Sequence, residues 1–391
     1  MGVKRLIVCC DGTWNTADQM VAGRLCPTNV TKLALSVAPV DSAGVEQRTY
    51  YRSGVGTSRW ERLRGGVFGF GLSHNVSDAY RFLVDNYEPG DELFFFGFSR
   101  GAFTARSLAG LVRNSGVLRR ENAGRLDEAW ALYRNRAEKP SGMASTLFRN
   151  SYSHEPRIRF LGMFDTVGTR GIPPLGPRLL RPVVKRINHR WEFHDTTLSS
   201  RVDGAFHALA LDERRSVFEP TLWHQKPDAG DQELKQAWFA GVHCDVGGGY
   251  CDTSLSDLTL LWMADQACRY GLQFLPTAFR PGSSAETAPD ESTRFTVAPD
   301  PMGLLHSSWK GFYRLTDPLD RMIGTAVNDQ NLPDGEERLA TTAKERHDSD
   351  PRYRPRGLVA YLKDAANIHL EPVRSRRASE TGDRAARPPV R

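Results

Sequence analysis

The stretch from Leu93 to Leu111, which reads LFFFGFSRGAFTARSLAGL, constrains the fold more than any other part of the chain. It opens with an apolar and aromatic run that is too short for a helix and is typical of a strand buried in a parallel sheet. A GxSxG turn follows, and the alanine, arginine and leucine residues after it indicate a helix. Strand, GxSxG and helix in this order predict a nucleophile elbow, in which a strained turn projects the hydroxyl of Ser99 above the sheet.

Apolar runs near residues 5, 50, 95, 160 and 238 predict strands, and helical patterns separate them. Such alternation indicates a mainly parallel sheet with helices on both faces. We therefore expect an α/β fold of the α/β-hydrolase type with lid insertions. Within the region 204–223, by contrast, Phe206, Leu209 and Ala210 predict a helix that breaks near Pro220.

The length of 391 residues suits one large α/β domain with insertions. We expect this domain to cover 1–370. Its predicted parts are a core at 4–270, insertions at about 120–150 and 169–200, and an accessory segment at 271–370. The remaining residues, 371–391, form a basic tail with the composition of a disordered segment. Glycine, proline and basic residues mark candidate lids at 65–71, 169–200 and 301–330.

Charge and composition narrow the expected partners and location. The net charge of +6 forms no single basic stripe and no nucleic-acid-binding motif is present, so no nucleic-acid partner is expected. The N-terminal apolar run is too short for a signal peptide, and no run is long enough for a transmembrane helix. We expect a cytoplasmic protein, or one exported by a signal-independent secretion system. The six cysteines have no disulfide-framework or metal-site spacing, which predicts reduced thiols.

Polar residues at predicted strand ends indicate nucleophilic catalysis. Ser99, Asp165 and His243 each follow a buried apolar run, and the carboxyl ends of parallel strands form the ligand-binding edge of an open sheet. A serine hydroxyl becomes a good nucleophile when a histidine takes its proton and a carboxylate orients that histidine. The chain order serine, acid, histidine is that of α/β-hydrolases, so we predict a catalytic triad that needs no cofactor or metal.

Two other carboxylates are alternatives to Asp165 as the triad acid. Asp212 lies in the predicted helix beside charged neighbours, which indicates a surface network of ion pairs. Asp245 follows His243 closely and is expected to orient the glycine-rich turn after it through backbone N–H groups. The position of Asp165 directly after a strand favours it over both, and the choice stays open at this point.

The oxyanion hole of such a site needs backbone N–H donors that face the developing negative charge. One donor is expected from Arg100, which follows the nucleophile. The other is expected from Gly12 or Thr13, in the loop after the first strand. Asp11 opens this loop and is expected to support it, unless it only caps a turn.

Two other functions are compatible with some of these residues. Asp11, Asp165, Asp245 and His243 together would suit Mg²⁺, Ca²⁺ or Mn²⁺ in a metal-dependent phosphoesterase. A catalytically inactive binding domain is the second alternative. The intact order of serine, acid and histidine favours a hydrolase over both.

Several short segments together resemble one protein family. They are DGTWN from Asp11, TNV from Thr28, GFSRGAFTAR from Gly97, FDTVG from Phe164, HALALDE from His207 and WFAGVHCDVGGGY from Trp238. The family is the uncharacterised α/β-hydrolase domain shared with type VI secretion phospholipase effectors, and the resemblance covers about 4–270. It implies phospholipase A-type hydrolysis of lipid acyl esters, with Ser99, Asp165 and His243 as the triad. It also implies peripheral membrane contact and, for an effector, an immunity or delivery protein as a partner.

Overall fold

A parallel sheet forms the centre of the molecule. The computed structural model describes residues 2–12, 15–16, 20–21, 23–54, 68–135, 137–168, 197–227, 229–281, 295–310, 313, 317–324, 336–364 and 367–374. In this part of the chain the strands of the sheet are β1 (Arg5–Cys10), β2 (Gln47–Arg52), β3 (Glu92–Phe98), β4 (Ile158–Phe164), β5 (Val202–Ala210), β6 (Glu233–Phe239), β7 (Glu337–Ala340) and β8 (Leu370–Glu371). They lie in the order β8-β7-β6-β5-β4-β3-β1-β2, and all neighbouring strands are parallel.

Helices lie in several of the described connections between these parallel strands. The described α-helices are α1 (Asn29–Ser36), α2 (Phe68–Asn86), α3 (Arg100–Ser115), α4 (Leu126–Arg134), α5 (Met143–Tyr152), α6 (His243–Gly247), α7 (Ser254–Arg269), α8 (Thr341–Ser349) and α9 (Arg356–Leu362). Short 3₁₀ helices lie at Arg120–Arg125 and Ser216–Phe218. Two-residue strands outside the large sheet pair Met20–Val21 with Arg24–Leu25, Val117–Leu118 with Ser153–His154, and Arg280–Pro281 with Thr296–Val297. No described helix is both long and apolar enough to cross a bilayer.

Alternate side chains of β3 enter two hydrophobic cores, one on each face of the sheet. Phe94 and Phe96 lie in a core with residues of α1 and α7, whereas Leu93 and Phe95 lie in a core with residues of α2 and α3. All four side chains are fully buried, and burying each one stabilises the fold by roughly 1.5–3 kcal/mol. Burial on both faces explains why this run is apolar throughout, and the predicted α/β fold with helices on both faces is confirmed.

The helix predicted within the region 204–223 is wrong. Residues Val202–Ala210 form strand β5, which pairs with β4 on one side and β6 on the other. Because all but Asp203 of its residues are buried, the strand shows no alternation of apolar and polar positions. Its alanine and leucine residues also fit a helical spacing, and the pairing with two neighbours overrides that local preference.

The prediction of reduced thiols is also wrong for one pair of cysteines. Cys26 and Cys251 form a disulfide across a sequence separation of 225. Cys9, Cys10, Cys244 and Cys268 are free thiols. The sequence shows no short spacing for the disulfide, because the fold brings two distant loops together.

The structure describes the predicted accessory segment and the candidate lids only in part. Strand β7 and the first residue of β8 come from 271–370, and they extend the edge of the sheet beyond β6. Most of the candidate lid 169–200, and the basic tail from 375 onwards, lie outside the described residues. Of the candidate lid 65–71, the described part begins α2.

Candidate active site

Ser99 occupies a strained turn between β3 and α3. Its backbone has φ 57° and ψ −122°, a conformation that non-glycine residues rarely adopt and that costs about 1–3 kcal/mol. Gly97 and Gly101 permit this turn because both approach other backbone very closely. An added Cβ would lie 2.5 Å from the Cα of Ala102 at Gly97, and 2.1 Å from the carbonyl oxygen of Cys10 at Gly101. The GxSxG spacing therefore reflects close packing of α3 on β3 and on the end of β1.

Asp165 and His243 form a buried hydrogen-bonded pair beside this turn. Asp165 directly follows β4, and its Oδ2 lies 2.5 Å from Nδ1 of His243, the first residue of α6. The backbone N–H of Ser99 donates to the carbonyl oxygen of Phe164 at 3.0 Å, so the serine turn and Asp165 lie side by side. Among the described contacts, no hydrogen bond joins Ser99 to His243. Catalytic hydrogen bonds are often long without substrate and shorten when it binds.

Arg321 is the second partner of Asp165. Its Nη1 lies 2.6 Å from Oδ1 and its Nη2 lies 3.1 Å from Oδ2, and both side chains are fully buried. Asp165 Oδ1 also accepts a hydrogen bond from the backbone N–H of Ala210 at 3.0 Å. Burial alone would raise the pKa of Asp165, but the charge of Arg321 and the hydrogen bond from His243 lower it well below its ordinary value. Asp165 is therefore ionised at neutral pH.

His243 is enclosed by aromatic rings. The ring centroids of Phe98 and Phe218 each lie 4.7 Å from that of the imidazole. Burial lowers the pKa of His243 below its ordinary value, and the hydrogen bond to Asp165 opposes that shift only in part. The imidazole is thus neutral at pH 7 and able to accept a proton, as a general base must be.

Glu213 supports the start of α6 and was not identified from the sequence. Its Oε2 accepts a hydrogen bond from the backbone N–H of His243 at 3.3 Å, and its Oε1 accepts one from the hydroxyl of Ser308 at 2.8 Å. The guanidinium of Arg215 pairs with the same carboxylate at 2.9 Å. Burial raises the pKa of Glu213, but the Arg215 hydrogen bond and charge outweigh it and lower the pKa to about 2. The sequence indicated ion pairs here, but placed them at the surface.

Asp212 and Asp245, the two alternative acids, contact other groups instead of the His243 side chain. Asp212 accepts hydrogen bonds from the backbone N–H of Gly241 and from the hydroxyl of Tyr353. Burial raises the pKa of Asp212 to about 6. Asp245 accepts a hydrogen bond from the backbone N–H of Val242 at 3.0 Å, and another from Nδ1 of His306 at 2.6 Å. Both carboxylates therefore support the segment that carries His243. Asp245 does so through Val242, which precedes His243, rather than through the glycine-rich turn that follows it.

Gly12, in the loop after β1, is a predicted donor of the oxyanion hole. In this structure the backbone N–H of Gly12 donates to Oδ1 of Asp11 at 2.6 Å and is therefore engaged by a carboxylate. Oδ2 of Asp11 accepts further hydrogen bonds from the hydroxyls of Thr28, Tyr51 and Thr31, at 2.7, 2.8 and 2.9 Å. These bonds hold the Asp11 carboxylate in place at the start of the loop, and its supporting role in catalysis stays a prediction.

The other predicted donors are placed as follows. Arg100 is the first residue of α3, where backbone N–H groups point out of the helix end toward the serine turn. Thr13 lies outside the described residues. The role of Arg100 as an oxyanion-hole donor therefore stays a prediction.

The residues proposed for a metal-dependent phosphoesterase do not converge on one point. Asp11 binds hydroxyl groups, Asp245 binds His306, and of these three carboxylates Asp165 is the one that contacts the His243 side chain. Within the described ranges, no three histidine, cysteine or acidic side chains are grouped so that they could hold a metal ion.

Comparison with known proteins identifies relatives of this chain. It is 32% identical over 249 residues to the uncharacterized protein YEL023C of Saccharomyces cerevisiae, a match that covers 57% of this chain and 33% of that protein. An uncharacterized protein from Pseudomonas aeruginosa of known crystal structure is 19% identical, with a TM-score of 0.40, over 70% of this chain and 46% of that one. The Tle1 effector, solved bound to the VgrG spike of the type 6 secretion system, is 22% identical, with a TM-score of 0.35, over 64% of this chain and 52% of its own.

The chain spans about a third to a half of the length of these relatives. A family model gives a more extensive match. The model for the catalytic domain of Tle1-like phospholipase effectors of the type VI secretion system matches residues 4–266, which is more than half of the chain. The chain therefore belongs to the Tle1-like phospholipase effector family, and its match is to the family's catalytic domain.

Proposed function

We propose that this chain is a serine-dependent carboxylic-ester hydrolase of the phospholipase type, with Ser99, Asp165 and His243 as its triad. One observation carries the proposal: the 2.5 Å hydrogen bond between Asp165 and His243 lies beside the strained Ser99 turn, at the carboxyl ends of adjacent strands. Membership of a family of phospholipase effectors supports the reaction class. Lipid acyl esters are the proposed substrates.

In the proposed reaction, Oγ of Ser99 attacks the carbonyl carbon of the ester while Nε2 of His243 takes its proton. Asp165 holds Nδ1 of His243 and stabilises the imidazolium that forms. The backbone N–H of Arg100 donates to the oxyanion of the tetrahedral intermediate. The intermediate collapses to an acyl-enzyme when His243 returns the proton to the leaving alcohol. Water then attacks the acyl group with His243 again as base, which releases the fatty acid and restores Ser99.

The buried charges support a working triad more than an inactive binding domain. A histidine and a carboxylate buried together cost folding free energy, which is why strongly perturbed pairs of this kind cluster at functional sites. Arg321 adds a third buried charge to the same pair. A binding domain without catalytic function would gain more stability from apolar side chains of similar volume at these positions.

The effector family also suggests partners. An immunity protein and a delivery protein are proposed for this chain, because effectors of secretion systems are exported toxins in need of both. The related Tle1 effector was solved in complex with the VgrG spike. Contact with a membrane surface is proposed for the lipid substrate to enter the site.

Hydrolysis of phospholipid vesicles tests the proposed function. Purified chain is incubated with vesicles of phosphatidylethanolamine and phosphatidylglycerol, with and without EDTA, and fatty acids and headgroups are measured by mass spectrometry. We expect fatty-acid release that EDTA leaves unchanged, and a loss of at least about 10³-fold in kcat for Ser99→Ala and for His243→Ala. Ser151→Ala, which changes an exposed serine of α5, is the matched control and should keep full activity. Release of phosphorylated headgroup that stops with EDTA would instead favour a metal-dependent phosphoesterase.

A further inference from the structure

A second cavity lies on the α3 side of the sheet, away from the candidate triad. It has a volume of about 550 Å³ and is lined by α3, the connection between α4 and α5, and the segment from Trp223 to Lys226. This volume lies within the range of small-molecule sites, roughly 300–1,000 Å³. Ser99, Asp165 and His243 are not among the described residues that line it, and Arg106 and Arg113 are about 10 and 21 Å along α3 from Ser99 at the rise of an α-helix. The cavity is therefore separate from the proposed catalytic site, although one helix adjoins both.

Positive charge dominates the walls of this cavity. Among the described residues that line it, the cations are Arg106, Arg113, Lys139 and Lys226, and the one carboxylate is Glu138. Glu138 accepts a hydrogen bond from the backbone N–H of Ser145 at 3.1 Å and forms no ion pair with a described residue. Its charge therefore offsets only part of the positive charge around it.

Three of these cations have unused binding capacity. Arg113, Lys139 and Lys226 form no side-chain hydrogen bond or ion pair within the part of the chain that the structure describes. Arg113 is half-buried, and its pKa is lowered by burial and then by the neighbouring guanidiniums of Arg201 and Arg149, while the charge of Glu155 opposes part of that shift. A half-buried guanidinium under repulsion from two others gains favourable energy from a bound anion.

Arg106 closes the inner end of the cavity. Its Nη1 and Nη2 donate to the carbonyl oxygens of Thr221 and Leu222, and its guanidinium lies 4.4 Å from the ring centroid of Trp223. These contacts fix the wall against which a ligand would rest. The two lysines, by contrast, are exposed at the cavity mouth and are able to move toward a ligand.

We propose that this cavity binds a small molecule that carries a phosphate group. Arg113 provides the planar fork that pairs with two phosphate oxygens, and Lys139 and Lys226 provide point charges for the remaining oxygen. The volume leaves room for an organic group beside the phosphate, next to the hydroxyl of Ser141. The phosphate group belongs either to a soluble ester or to a lipid headgroup, and the chemistry of the cavity suits both.

Titration calorimetry with the full chain tests this proposal, with inorganic pyrophosphate and glycerol 3-phosphate as soluble probes. We expect saturable binding of one probe molecule per chain that weakens as salt is added. The double variant Arg113→Gln/Lys139→Gln should bind at least about tenfold more weakly, because the phosphate loses its charge-assisted hydrogen bonds to two cations. Lys363→Gln removes an exposed lysine outside the cavity lining and should bind like the unmodified chain. Thermal melting checks that each variant is folded.

A second arm distinguishes a soluble ester from a lipid headgroup. Vesicles that contain phosphatidic acid are offered to the Ser99→Ala chain with and without the double variant's two changes, because the Ser99→Ala chain keeps the cavity but is expected not to hydrolyse lipid. If the double variant loses binding of the soluble probe but keeps binding of vesicles, the ligand is a soluble ester. Vesicle binding that the double variant loses supports a lipid headgroup. Absence of saturable binding to every probe, or equal affinities for the double variant and the unmodified chain, would overturn the proposal.

Discussion

Replacing Arg321 with methionine removes the charge that holds the proposed triad acid in its ionised form. Both guanidinium contacts to Asp165, at 2.6 and 3.1 Å, are lost, and the carboxylate stays fully buried. Methionine keeps a long side chain in the same space, but it also removes the hydrogen bonds that Arg321 donates to the carbonyl oxygens of Ala210 and Phe218. Asp165 keeps its hydrogen bonds to His243 and to the backbone N–H of Ala210.

The expected cost of this change follows from the burial of the pair. Removing one partner of a buried ion pair destabilises a protein by about 3–5 kcal/mol, because it leaves an uncompensated charge. We expect about 3 kcal/mol for Arg321→Met, the lower end, since two hydrogen bonds to Asp165 remain. The pKa of the Asp165 carboxyl should rise, because the positive charge of Arg321 that lowers it is gone.

Urea unfolding and the pH dependence of kcat/KM measure both effects. The acid limb of kcat/KM should move to higher pH in Arg321→Met, because the pair takes up a proton more readily and the base is then blocked. Arg356→Met is the control: this arginine is 84% exposed and pairs with Asp320 at the surface, so a change of less than about 1 kcal/mol and no shift of the limb are expected. Stability equal to that of the unmodified chain, with an unmoved acid limb, would refute this reasoning.

Three further changes have defined outcomes. The pKa of Glu213 is lower in the folded protein than in the unfolded chain, so the unfolded chain binds the proton first and the native protein should lose about 3 kcal/mol of stability as the pH falls from about 4.5 to about 2. Glu213→Gln should lack this contribution at every pH, and urea unfolding across that pH range measures the difference. Gly101→Ala should destabilise the protein by about 1–3 kcal/mol and slow ester hydrolysis, since the new methyl group would overlap the carbonyl of Cys10; thermal melting and activity, which should fall together, check it. Cys26→Ser should cost about 2–5 kcal/mol in denaturant unfolding under non-reducing conditions, whereas the exposed free thiol in Cys268→Ser should cost little; equal stabilities would show that the disulfide contributes nothing.

Local patterns in the sequence predicted the centre of the fold. The run Leu93–Phe96 is fully buried on both faces of the sheet, so its composition alone indicated a strand. The glycines on either side of Ser99 reflect close contacts that tolerate no side chain, and they identified the turn. Asp165 and His243 both follow strand-like runs in the sequence, and a hydrogen bond joins their side chains in the structure.

Features that depend on distant contacts had no local pattern. Arg321 and Asp165 are 156 positions apart, and the segment around Arg321 shows no strong periodicity that would place it. Strand β5 was missed because burial on both faces removes the alternation that distinguishes a strand from a helix. Strands β7 and β8 have only four and two residues, which is too short for a periodic pattern.

Labelling with a fluorophosphonate, followed by peptide mapping, tests most directly whether Ser99 is an activated nucleophile. We predict a single adduct on Ser99 that forms equally in the presence of EDTA and is lost in Ser99→Ala. His243→Ala should label at least about 10³-fold more slowly, because the serine then has no base. A folded protein that stays unlabelled at Ser99, or that labels equally fast without His243, would contradict the proposed triad.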